Sequence, residues 1–227
     1  MGKRISDETR MKQSRGTGHG KSYKPWIQPR ELKSLSTTSA YYDPRIGRQI
    51  SLLSEGEKMV YLTLSWRDDV AEIREQFPLA LRETLSIAGQ YGIKHPMSRG
   101  KYIVMTSDFL VDFIDGKQTV FSVKASKENI SDPRTAEKLF IEKTYWKNKG
   151  VDFVMVYKDI HVNEVYATNI RAVMAYYDPK EVNSDEDLVM HLIAHKIIIT
   201  DMTVNELPIR QLAEDIKKSH LYLKYSA

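Results

Sequence analysis

The chain of 227 residues contains no cysteine, which excludes disulfide bonds, thiolate nucleophiles and zinc–thiolate centres. It also lacks any apolar run of the roughly 18 residues that a membrane-spanning helix needs, and its polar start has no apolar signal core. Neither sign of charge is in large excess, since the net charge is only +4. The hydrophobic residues, 41% of the chain, suffice for a packed core. These features predict a folded cytoplasmic protein without a membrane partner.

The first 30 residues carry a local excess of positive charge, with eight lysines and arginines against Asp7 and Glu8. Such an arm can neutralise DNA phosphates, although a solvated tail without a target has the same composition. Residues 1–22 lack an apolar period, so we expect residues 1–30 to form a basic, partly flexible arm. The Gly16–Lys21 run has the glycines and lysine of a phosphate-binding loop, but no strand precedes it, which argues against a nucleotide site.

Residues 31–178 alternate between helical and strand patterns, which predicts an α/β domain with a mixed sheet flanked by helices. Ser54 is a suitable N-cap, and Glu57 stands at the third helical position, as in a capping box. Asp132-Pro133 opens a longer helix, because proline is favoured in the first helical turn. The predicted elements are a helix from Ser54, a strand at 70–77, a helix at 81–91, a hairpin at 102–125, a helix from 132, a buried strand at 151–157 and a helix at 163–176.

Residues 179–227 differ in character and predict a small C-terminal domain. Helices are expected at 185–196 and 204–218, and short strands at 197–200 and 222–225. This order is typical of a winged helix, while a helical cap on the main domain is an open alternative. His191 and His195 are spaced as on a metal-binding helix but lack the accompanying glutamate, so a helix surface is the better interpretation.

The most informative stretch is a hairpin around Asp115-Gly116, because its register decides which side chains meet. A two-residue turn would leave Asp108 and Lys124 on opposite faces of the sheet. A three-residue loop with Gly116 in the left-handed conformation instead pairs residue 108 with Ser122. Lys124 then lies diagonally across from Asp108 on the same face. We favour this second register because it places the glycine correctly.

An aspartate beside a lysine on paired strands is the arrangement of many metal-dependent nucleases. Phosphodiester hydrolysis needs an activated water and a neutralised transition state, and carboxylate-bound Mg²⁺ serves both needs. Asp108 can bridge two ions, the Val123 carbonyl can add a ligand, and Lys124 can orient or deprotonate the water. Glu57 is the candidate for a further carboxylate from a helix. Asp112 competes for the ligand role, and ordinary surface ion pairs are the plain alternative, since the pattern is loose.

Short runs of sequence between about residues 15 and 160 also follow one another in a recognisable order. These runs are Gly16–Trp26, Leu52–Glu57, Ile73–Leu79, Ile93–Pro96, Met105–Asp112, Arg134–Leu139 and Tyr145-Trp146. Together they are specific, and through them the chain resembles the TnsA family, the endonuclease subunits of heteromeric cut-and-paste transposases.

The resemblance implies a restriction-endonuclease-like domain at 31–178 and a winged-helix-like domain at 179–227. It implies an endonuclease that uses two Mg²⁺ ions, with Mn²⁺ as a substitute, to cleave the 5′ ends of a transposon. The implied partners are transposon-end DNA, a TnsB-like transposase that cuts and joins the 3′ ends, and a TnsC-like AAA ATPase regulator. The implied location is the bacterial cytoplasm.

The resemblance also assigns site residues. The family's helix glutamate falls on Glu57, its strand aspartate on Asp108 and its lysine on Lys124. The polar residue two before that lysine, usually Gln or Glu, falls on Ser122, and serine is a poor metal ligand. Two other hypotheses stay open: a catalytically weak nuclease-fold module that bridges transposase and regulator, and a winged-helix DNA-binding regulator that uses the C-terminal region and the basic arm.

Overall fold

The structure is a computed structural model that describes residues 5–31 and 39–218. Its described residues divide into two compact units, one of residues 5–31, 39–41 and 49–162 and the other of residues 42–48 and 163–218. The second unit resumes at Asn163, whereas the sequence predicts a domain boundary after residue 178. No helix within the two described ranges is long and apolar enough to cross a bilayer.

The described residues form short helices and strands. The helices are α1 Asp7–Lys12, α2 Glu55–Ser65, α3 Leu81–Gln90, α4 Pro133–Asn148, α5 Lys158–His161, α6 Glu164–Met174, α7 Asp185–Ala194 and α8 Ile209–Lys217. The strands are β1 Ser39–Asp43, β2 Arg48–Leu52, β3 Val70–Pro78, β4 Met97–Ser98, β5 Lys101–Tyr102, β6 Thr106–Phe113, β7 Gln118–Lys124 and β8 Asp152–Tyr157. Turns of 3₁₀ helix cover Gly20–Ser22, Pro29–Glu31 and Lys127–Ile130.

A four-stranded sheet in the order β3-β6-β7-β8 forms the centre of the first unit. β6 pairs antiparallel with both β3 and β7, whereas β7 and β8 are parallel. A parallel pair needs a crossover connection, and α4 lies in the segment between these two strands. The predicted mixed sheet with flanking helices is therefore confirmed.

Helices cover both faces of this sheet, because each face carries apolar side chains that must be removed from water. On one face, Tyr61 of α2 places its ring 6.2 Å from that of Phe109. On the other face, α3 and α4 pack onto the sheet through a buried cluster of Leu79, Ile87, Ala88, Leu110, Val120, Ile141, Tyr145 and Trp146.

The predicted hairpin register is also confirmed. Phe109 pairs with Phe121, so residue 108 faces residue 122. The Phe113 N–H donates to the Lys117 carbonyl at 2.9 Å, and Gly116 has φ +83°, a conformation that favours glycine. The loop therefore has three residues.

Two predictions for the first unit are wrong. β8 is an edge strand rather than a buried one, and Val154 is 39% exposed, because only β7 lies beside it in the sheet. The segment expected to be flexible up to residue 22 contains α1 and a 3₁₀ turn. It is held by polar contacts that an apolar period does not reveal: Arg15 is buried and binds Glu31.

The second unit contains α6, α7 and α8. The predicted strand at 197–200 is wrong: the N–H groups of Ile197 and Ile198 donate to the Leu192 carbonyl and close the end of α7. α8 begins at Ile209 rather than at 204, directly after Pro208. The second predicted strand, at 222–225, lies outside the described residues, so the winged helix stays a prediction.

The two histidines of α7 have structural partners. His191 Nδ1 lies 2.9 Å from the Tyr176 carbonyl oxygen, and His195 Nε2 lies 2.7 Å from that of Tyr177. The interpretation of this pair as helix surface rather than as a metal site agrees with these contacts.

Candidate active site

Two cavities of the first unit meet at Asp108 and Lys124, the residues on the paired strands β6 and β7. The first has a volume of about 420 Å³ and is also lined by Glu57, Val123 and Lys158. The second has a volume of about 330 Å³ and is also lined by Ser122, Lys138 and Glu142. The fold thus gathers all five residues that the sequence assigns to the site.

The hairpin fixes the geometry around Asp108. Its Oδ2 atom accepts a hydrogen bond from the Val123 N–H at 2.7 Å and lies 3.8 Å from Lys124 Nζ. The same ammonium group donates to the Val123 carbonyl at 3.0 Å and to Ser122 Oγ at 3.2 Å. The lysine therefore touches the aspartate, the carbonyl and the serine at once, as the three-residue loop predicts.

Glu57 comes from the first turn of α2, which begins after the N-cap Ser54. Its Oε2 accepts from the Leu53 N–H at 2.9 Å and from Gln76 Nε2 at 3.2 Å. Its Oε1 accepts from Ser54 Oγ at 3.3 Å, and Ser54 Oγ accepts in turn from the Glu57 N–H. The predicted capping arrangement is present, and it holds the carboxylate at the edge of the first cavity.

Burial makes these carboxylates reluctant to ionise. It raises the pKa of Glu57 to about 8, and the neighbouring Asp108 adds to the effect. Burial also raises the pKa of Asp108, against the opposing influence of Lys124. Two carboxyl groups that repel each other in a poorly hydrated site are suited to binding a cation, because the cation removes the cost of ionising both.

Glu142 is a carboxyl group that sequence reasoning missed. It lies on α4, only 6% of its surface is exposed, and its Oε1 has no hydrogen-bond partner within the described residues. Burial, and then the nearby Asp108, raises its pKa to about 8. The available signal was an acidic residue on the otherwise apolar face of α4 that carries Ile141 and Tyr145.

The carboxyl groups of the site do not converge on one point. Within residues 5–31 and 39–218, no three acidic or histidine side chains are close enough together to hold one metal ion. Glu57 lines the first cavity and Glu142 the second, while Asp108 lines both. Asp112, the competing candidate, is bound instead by Arg74, at 2.6 and 2.8 Å, and does not line either cavity.

The glycine-rich segment near the N-terminus binds a protein carboxylate. His19 Nδ1 lies 2.8 Å from Glu72 Oε2, and the Gly20 N–H donates to Glu72 Oε1 at 2.6 Å. These contacts attach the segment to β3 and agree with the decision against a nucleotide site.

Comparison with known proteins points to one family. Residues 67–158 match the family described as TnsA-like endonuclease N terminal. The chain is also 41% identical over 162 residues to the Transposon Tn7 transposition protein TnsA of Escherichia coli. This alignment covers 71% of the chain and 59% of that protein, so the chain spans less than two thirds of the length of its relative. Residues 67–158, which contain Asp108 and Lys124 of the site, are therefore similar to the N-terminal domain of TnsA-like endonucleases.

Proposed function

We propose that this chain is an Mg²⁺-dependent DNA endonuclease subunit of a transposase and that it cleaves the 5′ ends of a transposon. The single observation that carries the proposal is the gathering of Glu57, Asp108, the Val123 carbonyl and Lys124 around one cavity. The match to a TnsA-like endonuclease domain supports the same reaction class.

The residues of the site fit magnesium, because carboxylate and carbonyl oxygens are the ligands it prefers. Glu57, Asp108 and the Val123 carbonyl would hold one ion beside the first cavity. Asp108 would be shared with a second ion on the side of Ser122 and Glu142, and Mn²⁺ would substitute for Mg²⁺ at both positions. Bound ions would supply a more acidic water and neutralise charge on the phosphate.

Lys124 is the residue that serves the attacking water. Its ammonium group already lies within hydrogen-bond distance of the Val123 carbonyl and Ser122 Oγ, which fix it beside Asp108. From there it can orient the water, accept its proton when neutral, and offset charge on the phosphate when protonated. Ser122 contributes by holding the lysine.

The proposed partners follow from the resemblance to the TnsA-like endonucleases and from the similarity to a transposition protein. They are transposon-end DNA, a TnsB-like transposase that processes the 3′ ends, and a TnsC-like AAA ATPase regulator. Work on transposon DNA would take place in the bacterial cytoplasm. A catalytically weak bridging module would share these partners but would leave the acid and lysine set without a purpose.

The test is cleavage by Asp108→Ala, assayed on transposon-end DNA with the partner transposase and Mg²⁺. We expect cutting at the 5′ end to fall to the uncatalysed background while the complex still assembles. The matched control is Asp112→Asn on the same strand, which removes a charge that binds Arg74 outside both cavities and should keep cutting. Normal cutting by Asp108→Ala would exclude the proposed site.

A further inference from the structure

Gln76 stands in β3 with an unusual backbone conformation. Its φ is +49°, in the left-handed region that residues other than glycine adopt only at a cost in free energy. The residue is only 1% exposed, so its polar side chain is also enclosed. A strained, buried polar residue persists only where its surroundings hold it, and its contacts therefore indicate what it does.

At this residue the side chains of β3 change from one face of the sheet to the other. In a regular strand, residues two positions apart share a face of the sheet. Glu75, however, pairs with Phe109, which packs against α2, whereas the Phe77 ring lies 5.8 Å from that of Trp146 on α4. Glu75 and Phe77 therefore lie on opposite faces, and the left-handed backbone of Gln76 between them produces the change.

This conformation directs the side-chain amide of Gln76 to the active site. Its Nε2 donates to Glu57 Oε2 at 3.2 Å, and Thr106 Oγ1 donates to its Oε1 at 3.3 Å. Because the threonine hydroxyl binds the oxygen end, the nitrogen end is turned towards the glutamate. Glu57 thus receives a donor from the sheet in addition to those from its own helix cap.

The N-terminal segment closes over the same part of β3. The Trp26 N–H donates to the Gln76 carbonyl at 3.2 Å, and the Tyr23 hydroxyl donates to the Glu75 carbonyl at 2.9 Å. Gly16 lies so close to Pro78 that a side chain there would overlap the proline ring. These contacts occupy the outer edge of β3, where no further strand of the described sheet pairs.

We propose that Gln76 is a positioning residue for Glu57 and that the N-terminal segment secures it. The inference rests on the proposed function, since Glu57 matters there as a metal ligand. Gln76 acts only through that carboxylate: its amide fixes the direction of one oxygen, and its strained backbone keeps the amide in place. The segment from Gly16 to Trp26 is accordingly a structural part of the catalytic site.

The experiment uses two substitutions, one that keeps the strained backbone and one that relieves it. Gln76→Glu keeps the side-chain shape but places a second carboxylate against Glu57 instead of a donor. Gln76→Gly removes the amide and relieves the backbone strain. The matched control is Gln118→Glu, which makes the same chemical change at an exposed amide that donates to Asp112 at 2.6 Å.

The first readout is the affinity of the full chain for Mn²⁺ without DNA, measured by isothermal titration calorimetry. The second is cleavage of transposon-end DNA with the partner transposase, separated into kcat and KM. We expect both Gln76 variants to lose roughly 10- to 100-fold in Mn²⁺ affinity and in kcat, the usual loss when a group that orients a metal ligand is removed. The KM for DNA and the Gln118→Glu control should stay near the wild type.

The outcomes separate this inference from the proposed function. Wild-type Mn²⁺ affinity in Gln76→Gly, with a wild type that binds the ion and cuts DNA, would overturn the role of Gln76 alone. A wild-type protein that neither binds Mn²⁺ nor cuts DNA would overturn both proposals. If thermal unfolding shows that Gln76→Glu does not fold, the glycine variant decides the question, because it removes strain rather than adding charge.

Discussion

Ser122 is the residue at which the site departs furthest from the chemistry that it needs. Its hydroxyl accepts a hydrogen bond from Lys124 Nζ at 3.2 Å and is a weak ligand for a metal. Glu142 lines the same cavity and carries a buried oxygen without a partner in the described part of the chain. At the scale of single residues, a carboxyl group thus lies on the Ser122 side of the site, and it comes from α4 rather than from β7.

The positions of Ser122 and Glu142 in one cavity predict unequal effects of substitutions at these two residues on cleavage. Ser122→Ala should lower the rate of 5′-end cutting by less than about tenfold, because it removes only one support of Lys124. Glu142→Gln should lower it by roughly a hundredfold, because it removes a charge beside Asp108. The measurement is cutting with the partner transposase. The control is Glu137→Gln on the same helix, because the side chain of Glu137 binds Arg134 outside the cavity. A larger loss from Ser122→Ala than from Glu142→Gln would contradict the greater importance of Glu142.

At the scale of elements, the sequence predicts the hairpin better than the strand beside it. Gly116 carries a recognisable turn signal, and the three-residue loop that it allows determines which residue faces Asp108. Nothing comparable marks Gln76, because residues of this kind adopt a left-handed conformation only when tertiary contacts hold them there. The reversal of β3 and the amide contact with Glu57 were therefore beyond pattern analysis. The burial of Glu142 was missed because a single acid on a helix is usually solvated.

Helix α4 presents one face to the second cavity, and that face carries an exposed lysine. Thr135, Lys138 and Glu142 recur at helical spacing and all line the cavity. Lys138 has no ion-pair partner in the described ranges. The pKa of Asp132 is lowered mainly by hydrogen bonds from Thr135, and the charge of Lys138 lowers it a little further. A cation beside the proposed cleavage site is suited to a DNA phosphate.

We therefore expect Lys138→Ala to weaken binding of transposon-end DNA and to lower the slope of log affinity against log salt by about one. Lys147→Ala is the matched control, since it lies about two and a half turns further along α4 and so on the opposite face. The measurement is a salt series of DNA binding with the partner transposase, with both substitutions introduced into the Asp108→Ala protein so that the DNA stays uncut. Equal slopes for the two variants would rule out a phosphate contact at Lys138.

At the scale of the whole molecule, local signals predict regular elements, and long-range contacts decide the rest. The helix starts at Ser54 and Asp132 were predictable because caps are local. The folding of residues 5–26 onto β3 was not, since it depends on contacts such as that of Tyr23 with the Glu75 carbonyl. The strand expected at 197–200 failed for the opposite reason. An apolar run there has strand propensity, but its N–H groups close the end of a helix instead.

The raised pKa values predict how the stability of the whole metal-free protein depends on pH. Glu57 and Glu142 each have a folded pKa of about 8 against an ordinary value of 4.5. The folded state therefore keeps protons that the unfolded state releases, so the free energy of unfolding falls as pH rises towards 8 and then levels off. Burial lowers the pKa of His95, so this group makes the free energy of unfolding rise with pH below its ordinary pKa of 6.5. The effect of the carboxyl groups is therefore measured best between about pH 6.5 and about pH 8.

Within this range each of the two carboxyl groups contributes a loss of at most about 1.4 kcal/mol per pH unit. Urea unfolding in EDTA measures the slope. Glu142→Gln should make it shallower by up to about 1.4 kcal/mol per pH unit and should raise stability near pH 8. The remaining slope comes from Glu57 and from Asp108, whose pKa is also raised by burial. Glu186→Gln, an exposed carboxyl group at the start of α7, should leave the slope unchanged. Replacing EDTA with Mg²⁺ should restore stability at the upper end of the range, because an ion bound by the folded state favours the ionised carboxylates. A slope that is flat in the wild type would mean that both groups ionise as readily in the folded state as in the unfolded state, and the cation would then have no cost of ionisation to remove.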